Sequence, residues 1–114
     1  MNTKLIGDYG ERLAAEYLNR KGYRIIDRNY RAKSGEIDII SFDGRTLVFI
    51  EVKTRKNSEF AFAREAVNKK KQQRIKNTAR DYISKKYCNY EEIRFDVVEI
   101  YTDEKTIQHF ENSF

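Results

Sequence analysis

Glu51 and Lys53 stand two residues apart inside an otherwise apolar run, Thr46 to Thr54 (TLVFIEVKT). In a strand, successive side chains point to opposite faces. Leu47, Phe49, Glu51 and Lys53 would then share one face, and Val48, Ile50 and Val52 the other. Ionised groups in the middle of such a strand are costly to bury. A second run repeats the oddity. In Glu36 to Phe42 (EIDIISF), Glu36, Asp38 and Ile40 share a face opposite Ile37 and Ile39. Asp43-Gly44-Arg45 between the runs is a turn signal. With Asp43-Gly44 as the turn, Asp38 lies opposite Phe49; with Gly44-Arg45 it lies opposite Glu51. Both registers put Asp38 and Glu51 on the same face, and a one-residue slip would turn a whole strand over.

Glu36, Asp38, Glu51 and Lys53 therefore converge on one patch of sheet. Converging carboxylates are hard oxygen ligands of the kind Mg²⁺ takes, with positions left for water and phosphate. A neighbouring lysine can orient or deprotonate a water and offset charge on a phosphorane-like transition state. The residue types suit phosphodiester hydrolysis. Two plainer readings stand beside this one: an i, i+2 Glu–Lys pair on a surface, or charges that protect an edge strand. Glu11, after Gly7-x-x-Gly10, either reaches a metal or complements a helix dipole. One histidine, His109, cannot build a zinc site and reads as an ordinary polar residue near the C-terminus. Cys88 has no evident base partner and is expected to be unreactive. The chain has no glycine-rich phosphate loop, which argues against ATP binding.

The elements that must hold these residues can be read in order. Residues 3 to 21 show an apolar stripe at helical spacing, Ile6, Tyr9, Leu13, Ala14, Tyr17 and Leu18, with Gly22 as a natural stop. Residues 23–29 read as a strand, 30–34 as a basic loop, and 36–42 and 46–54 as strands two and three. Residues 55–64 read as a loop carrying Phe60 and Phe62. A helix is expected over 68–86, with Ile75, Ala79, Tyr82 and Ile83 inward, then a strand over 93–101 and a short one over 106–110. The order is αβββαβ(β). The first three strands can pair antiparallel, and strands three and four, joined through a helix, should run parallel with a right-handed crossover. The expectation is an α/β fold, a mixed sheet flanked by helices, in one domain over 1–114.

Composition narrows the class. Aromatic residues make up 13% of the 114, enough for a core and against disorder. A single cysteine rules out an internal disulfide and suits a reducing cytoplasm. No apolar run is long enough to span a membrane, and the first residues do not read as a signal peptide. The net charge is +5, unevenly spread. From Lys53 to Lys86 there are twelve Lys and Arg against three acids. That is the footprint of a polyanion binder, or equally a solvated helix face.

Four runs together, Gly7 to Glu11 (GDYGE), Gly35 to Ile40 (GEIDII), Phe49 to Arg55 (FIEVKTR) and Arg94 to Val98 (RFDVV), resemble the YraN family of bacterial proteins. The resemblance covers almost the whole chain, including Ile107-x-His109 and the terminal Phe114. That family in turn resembles the PD-(D/E)xK nucleases, especially the archaeal Holliday junction resolvases. The resemblance implies a restriction-endonuclease-like fold. Asp38 matches the motif aspartate, Glu51 the second acid, Lys53 the motif lysine and Glu11 the acid of the first helix. Ile37 stands where the motif name has proline. Glu36 has no counterpart and is expected to act behind the ligands. The implied activity is a Mg²⁺- or Mn²⁺-dependent endonuclease on DNA rather than RNA, including branched DNA. Arg55, Lys56, Lys69, Lys70, Lys71 and Arg74 would follow the phosphates, and cutting two strands would favour a homodimer. The rival is a nucleic-acid-binding module of the same fold without catalysis.

Overall fold

The computed structural model describes residues 3–57, 68–86 and 89–114. The expected loop over 55–64 lies outside the described residues from 58 onward, with Phe60 and Phe62, as does Cys88. The side chain of Ile6 is outside them too. In chain order the elements are α1 (Thr3–Arg20), β1 (Arg24–Ala32), β2 (Gly35–Asp43), β3 (Thr46–Arg55), α2 (Lys69–Lys85), β4 (Glu92–Tyr101) and β5 (Thr106–Phe110).

Each helix forms because one face is apolar and its ends are held. On α1, Ala14, Ala15 and Leu18 are buried, with Leu13 and Tyr17 packed alongside. The helix stops at Gly22, which takes φ +92°. Gly22 N–H donates to the Asn19 carbonyl and Tyr23 N–H to the Leu18 carbonyl, a Schellman closure of the last turn. At the start of α2 the Asn68 side chain accepts from Lys71 N–H, satisfying an orphan donor. Ile75, Thr78, Ala79 and Tyr82 form its buried face. Thr78 is a polar residue on that face, and its hydroxyl is satisfied by the Arg74 carbonyl and Ser34 Oγ, each at 2.8 Å.

The five strands form one sheet in the order β1-β2-β3-β4-β5. β1–β2, β2–β3 and β4–β5 are antiparallel, and β3–β4 is parallel. This is the mixed α/β sheet expected from the sequence, consistent with the restriction-endonuclease-like αβββαβ order. The Asp43↔Thr46 pair sets Gly44-Arg45 as the β2–β3 turn. Each face of the sheet has its own core. Ile40, Phe42, Leu47, Phe49 and Val97 pack under α2. Ile39, Val48, Ile50, Val98 and Ile100 pack under α1. Among the described residues no helix is long and apolar enough to cross a membrane.

Two features differ from the sequence expectation. Residues 30–32 are strand, not loop: β1 runs to Ala32 and the turn is Lys33-Ser34 alone. The basic composition there belongs to an edge strand, where charge discourages further pairing. In addition, Ile37 and Ile39 do not share a face. Ile37 packs with the α2-side core and Ile39 with the α1-side core. The alternation breaks at Asp38, because β2 parts from β3 there: their pairing begins at Ile39↔Ile50.

Candidate metal and nucleic-acid site

The parting of β2 from β3 makes the candidate site. Beyond Ile50, the Val52 N–H donates to Asp38 Oδ2 at 2.8 Å. A carboxylate fills a place where a ladder carbonyl would otherwise serve, so Asp38 is fixed at the fork of the two strands. Next to Val52 in the chain, Glu51 is buried, its side chain 10% exposed, and its Oε1 lies 2.9 Å from the Nζ of Lys71 on α2. Lys53 follows two residues on, half-buried, opposite Glu99 in the parallel β3–β4 pairing. α1 is held close to this end of β3. A Cβ built at Gly10 would stand 1.8 Å from Thr54 Oγ1, so only glycine allows the approach. The next residue, Glu11, is thereby carried to the fork, where its carboxylate hydrogen-bonds the Asn29 side chain on β1.

The electrostatics are those of a site with more acid than base. Burial, then the charge of Glu51, push the Asp38 carboxyl up to about 7, against the pull of the Val52 N–H; Glu11 and Glu36 add to the rise. Glu11 is also raised, chiefly by burial. Burial lowers the Lys53 ammonium from its ordinary value, helped by Arg55 and Lys71 and opposed by Glu99 and Glu51. Among the described residues no group of three or more His, Cys, Asp or Glu is arranged to hold a metal ion. The pair Asp38 and Glu51 still suits Mg²⁺. That ion is usually bound by one or two carboxylates, with waters and substrate phosphate completing the octahedron, rather than in an all-protein cage.

The remaining predicted residues spread along two elements. Glu36 is exposed and 3.4 Å from Arg31 Nε across the β1–β2 hairpin. Lys69, Lys70, Lys71 and Arg74 are exposed at the start of α2, and Lys56 is exposed just past β3. Arg55 is half-buried in β3, its carbonyl accepting the Thr102 N–H at 2.9 Å. A cavity of about 480 Å³, lined by Arg24, Asp27, Tyr82 and Lys86 among others, lies at the C-terminal end of α2, away from the carboxylates.

A second buried charge cluster escapes the sequence reading. His109 is no ordinary surface residue: its side chain is 2% exposed. Lys21 Nζ lies 3.0 Å from His109 Nδ1. An ammonium can only donate, which leaves Nε2 to donate to Asp96 Oδ2 at 2.8 Å. Arg94 donates to Asp96 from two nitrogens at 2.9 Å, and Asn112 N–H donates at 3.0 Å. Burial pushes the Asp96 carboxyl up, but these donors outweigh it and the net direction is down. The signal in the sequence is the alternation of Arg94 and Asp96, which puts both on one face of β4.

Comparison with known proteins gives the family. The chain matches Uncharacterised protein family UPF0102 over residues 10–100. It is 46% identical over 114 residues to a UPF0102 protein of Clostridioides difficile, covering 100% of both chains. It is 45% identical over 113 residues to one of Alkaliphilus metalliredigens, covering 98% of this chain and 99% of the relative. A UPF0102 protein of Dictyoglomus thermophilum is 48% identical over 100 residues, 88% of this chain and 85% of the relative. By this match along nearly its whole length, the chain belongs to the UPF0102 family, the YraN family its motifs resemble.

Proposed function

We propose that this protein is a metal-dependent endonuclease that hydrolyses phosphodiester bonds in DNA, with branched or junction DNA as its substrate. The observation that carries the proposal is the fork. There two carboxylates, Asp38 and Glu51, are held in a partly buried pair with a depressed lysine, Lys53, on the same strand. Such acid excess is unfavourable unless a cation shares it. Asp38 and Glu51 would hold Mg²⁺ or Mn²⁺, with Asp38 oriented by the Val52 N–H. A divalent ion bound there would polarise the phosphate and lower the pKa of a water. Lys53 would position that water, accept its proton and offset charge gathering on the phosphate oxygens. Glu11 shapes the field through its effect on Asp38. The exposed cations at the start of α2, with Lys56, would follow the phosphate backbone. Cutting two strands of a junction would need two copies related by symmetry, in the cytoplasm.

The test is cleavage of labelled junction, flap, duplex and single-stranded DNA with Mg²⁺ or Mn²⁺, beside Asp38→Ala and Lys53→Ala. Equal cleavage by parent and variants would sink the proposal. One observation favours a second reading: Lys71 already supplies Glu51 with a cation. On that reading the protein is a non-catalytic nucleic-acid-binding module. It would bind DNA with steep salt dependence, cleave none of the panel, and gain no melting temperature from Mn²⁺.

A further inference from the structure

The cation that sits on Glu51 can leave, and the acid cannot. Lys71 Nζ is 2.9 Å from Glu51 Oε1, but the two partners differ in exposure: 52% for the Lys71 side chain and 10% for that of Glu51. A lysine on a long flexible stem moves its head into water at little cost. Glu51 is fixed in the central strand, between Ile50 and Val52. The Lys71 backbone is fixed as well, since its N–H is held by the Asn68 side chain at 2.9 Å. What remains free to move is the four-carbon arm. Lys69, Lys70 and Arg74, exposed beside it, give the arm a second place to go, along any phosphate lying on α2.

We propose that Lys71 is a displaceable counter-ion for the metal site. Its ammonium holds the place of a divalent cation on Glu51 and is expelled when one binds. A metal bound to a carboxylate oxygen lies about 2.1 Å from it. An ammonium on the same group would then stand within a few ångströms of two positive charges, a repulsion that the half-exposed arm relieves by swinging out. Metal loading and phosphate contact are then linked: the ion that loads the site releases a lysine toward the substrate, and a phosphate that holds Lys71 vacates Glu51. The inference rests on the proposed metal site and adds its regulation.

Manganese affinity tests it without reference to cleavage. Mn²⁺ alone is titrated calorimetrically at pH 8 into the parent chain, Lys71→Met and Lys71→Arg, with circular dichroism confirming that each is folded. Lys71→Met keeps the stem and removes the competitor, so it should bind Mn²⁺ roughly tenfold more tightly than the parent. Lys71→Arg puts a planar fork on the same carboxylate and should bind more weakly than the parent. Metal binding by the parent with unchanged or weakened affinity in Lys71→Met would overturn the counter-ion role and leave the metal site standing. Absence of Mn²⁺ binding in all three chains would overturn both.

Discussion

Replacing Asp38 by Asn should stabilise the protein at alkaline pH while abolishing cleavage. The Asp38 carboxyl is held at about 7 in the folded chain, against an ordinary 3.8. The folded state therefore keeps a proton that the unfolded state has lost. Between pH 4 and 7 the native chain binds more protons, so stability falls as pH rises through that window. Below it the group is neutral in both states, and above it the loss is complete. At about 1.4 kcal/mol per unit, the full displacement has a ceiling of about 4 kcal/mol. Water reaching the fork reduces this to about 2 kcal/mol. An Asn side chain keeps an oxygen to accept the Val52 N–H, and it carries no charge to repel Glu51. Urea unfolding in EDTA, followed by circular dichroism at pH 5 and pH 8, measures the effect. The advantage of Asp38→Asn should grow from about 0.7 kcal/mol at pH 5, roughly a third of the way through the window, to about 2 kcal/mol at pH 8. Mn²⁺ should reverse the order at pH 8 by stabilising only the parent, by about 2.7 kcal/mol at a hundredfold excess over Kd. A variant that loses as much stability as the parent between the two pH values would refute the reasoning, because the strain would then lie elsewhere.

Four further outcomes are expected. Lys53→Met should lower the cleavage rate by at least about a hundredfold while DNA affinity in Ca²⁺ falls by less than about threefold, since on the proposed function Lys53 would act on the reacting phosphate rather than along the backbone. Gly10→Ala should destabilise by about 1–3 kcal/mol in urea, because its Cβ would meet Thr54 Oγ1 at 1.8 Å and, with the hydroxyl rotated away, would still stand 3.1 Å from Thr54 Cβ. Asp96→Ala should cost about 2–4 kcal/mol, read by thermal melting, by leaving buried His109 Nε2 and two Arg94 N–H donors without an acceptor while Arg94 keeps Asp43 and Glu111. Lys69→Ala with Lys70→Ala should flatten the dependence of log DNA affinity on log salt by about 2, one unit for each phosphate that is no longer neutralised.

The sequence carries the frame of this molecule because its elements have strong periodic signals. β3 is a continuous apolar run broken only by Glu51 and Lys53, and α2 shows Ile75, Ala79 and Tyr82 at helical spacing. The end of β1 is hidden because basic residues at 30–33 serve equally in a loop and on an edge strand. The placement of α1 is hidden for a different reason. Gly10 reads as a helix-weakening residue, and only the packing of α1 on Thr54 explains it. Strict alternation along β2 puts Asp38 beside Glu51 for a reason that is only half right. The two acids do act on each other, but through a fork in which the alternation fails and Asp38 bonds to the backbone of β3. The partner of Glu51 lies beyond any local pattern, since Lys71 comes from a helix whose neighbouring lysines look alike.

The two acid clusters on this sheet argue for different roles. Asp96 is fully buried, yet its carboxyl is held low, because Arg94, His109 and the Asn112 N–H all donate to it. Each donor belongs to the protein, and the cluster joins β4 to the segments around β5. At Asp38 burial is not outweighed, and the carboxyl is pushed up to about 7. The Val52 N–H donates to it, while Glu51, Glu11 and Glu36 all press on it with negative charge. Burial pushes both carboxyls up, so it does not separate them in sign. The difference is the balance of donors to acids, and that balance separates a group satisfied by its own fold from one that needs something brought to it. On the proposed function a cation from solution would supply what the fork lacks, at the end of the sheet where the start of α2 exposes Lys69, Lys70 and Arg74, the side chains that would meet a polyanion.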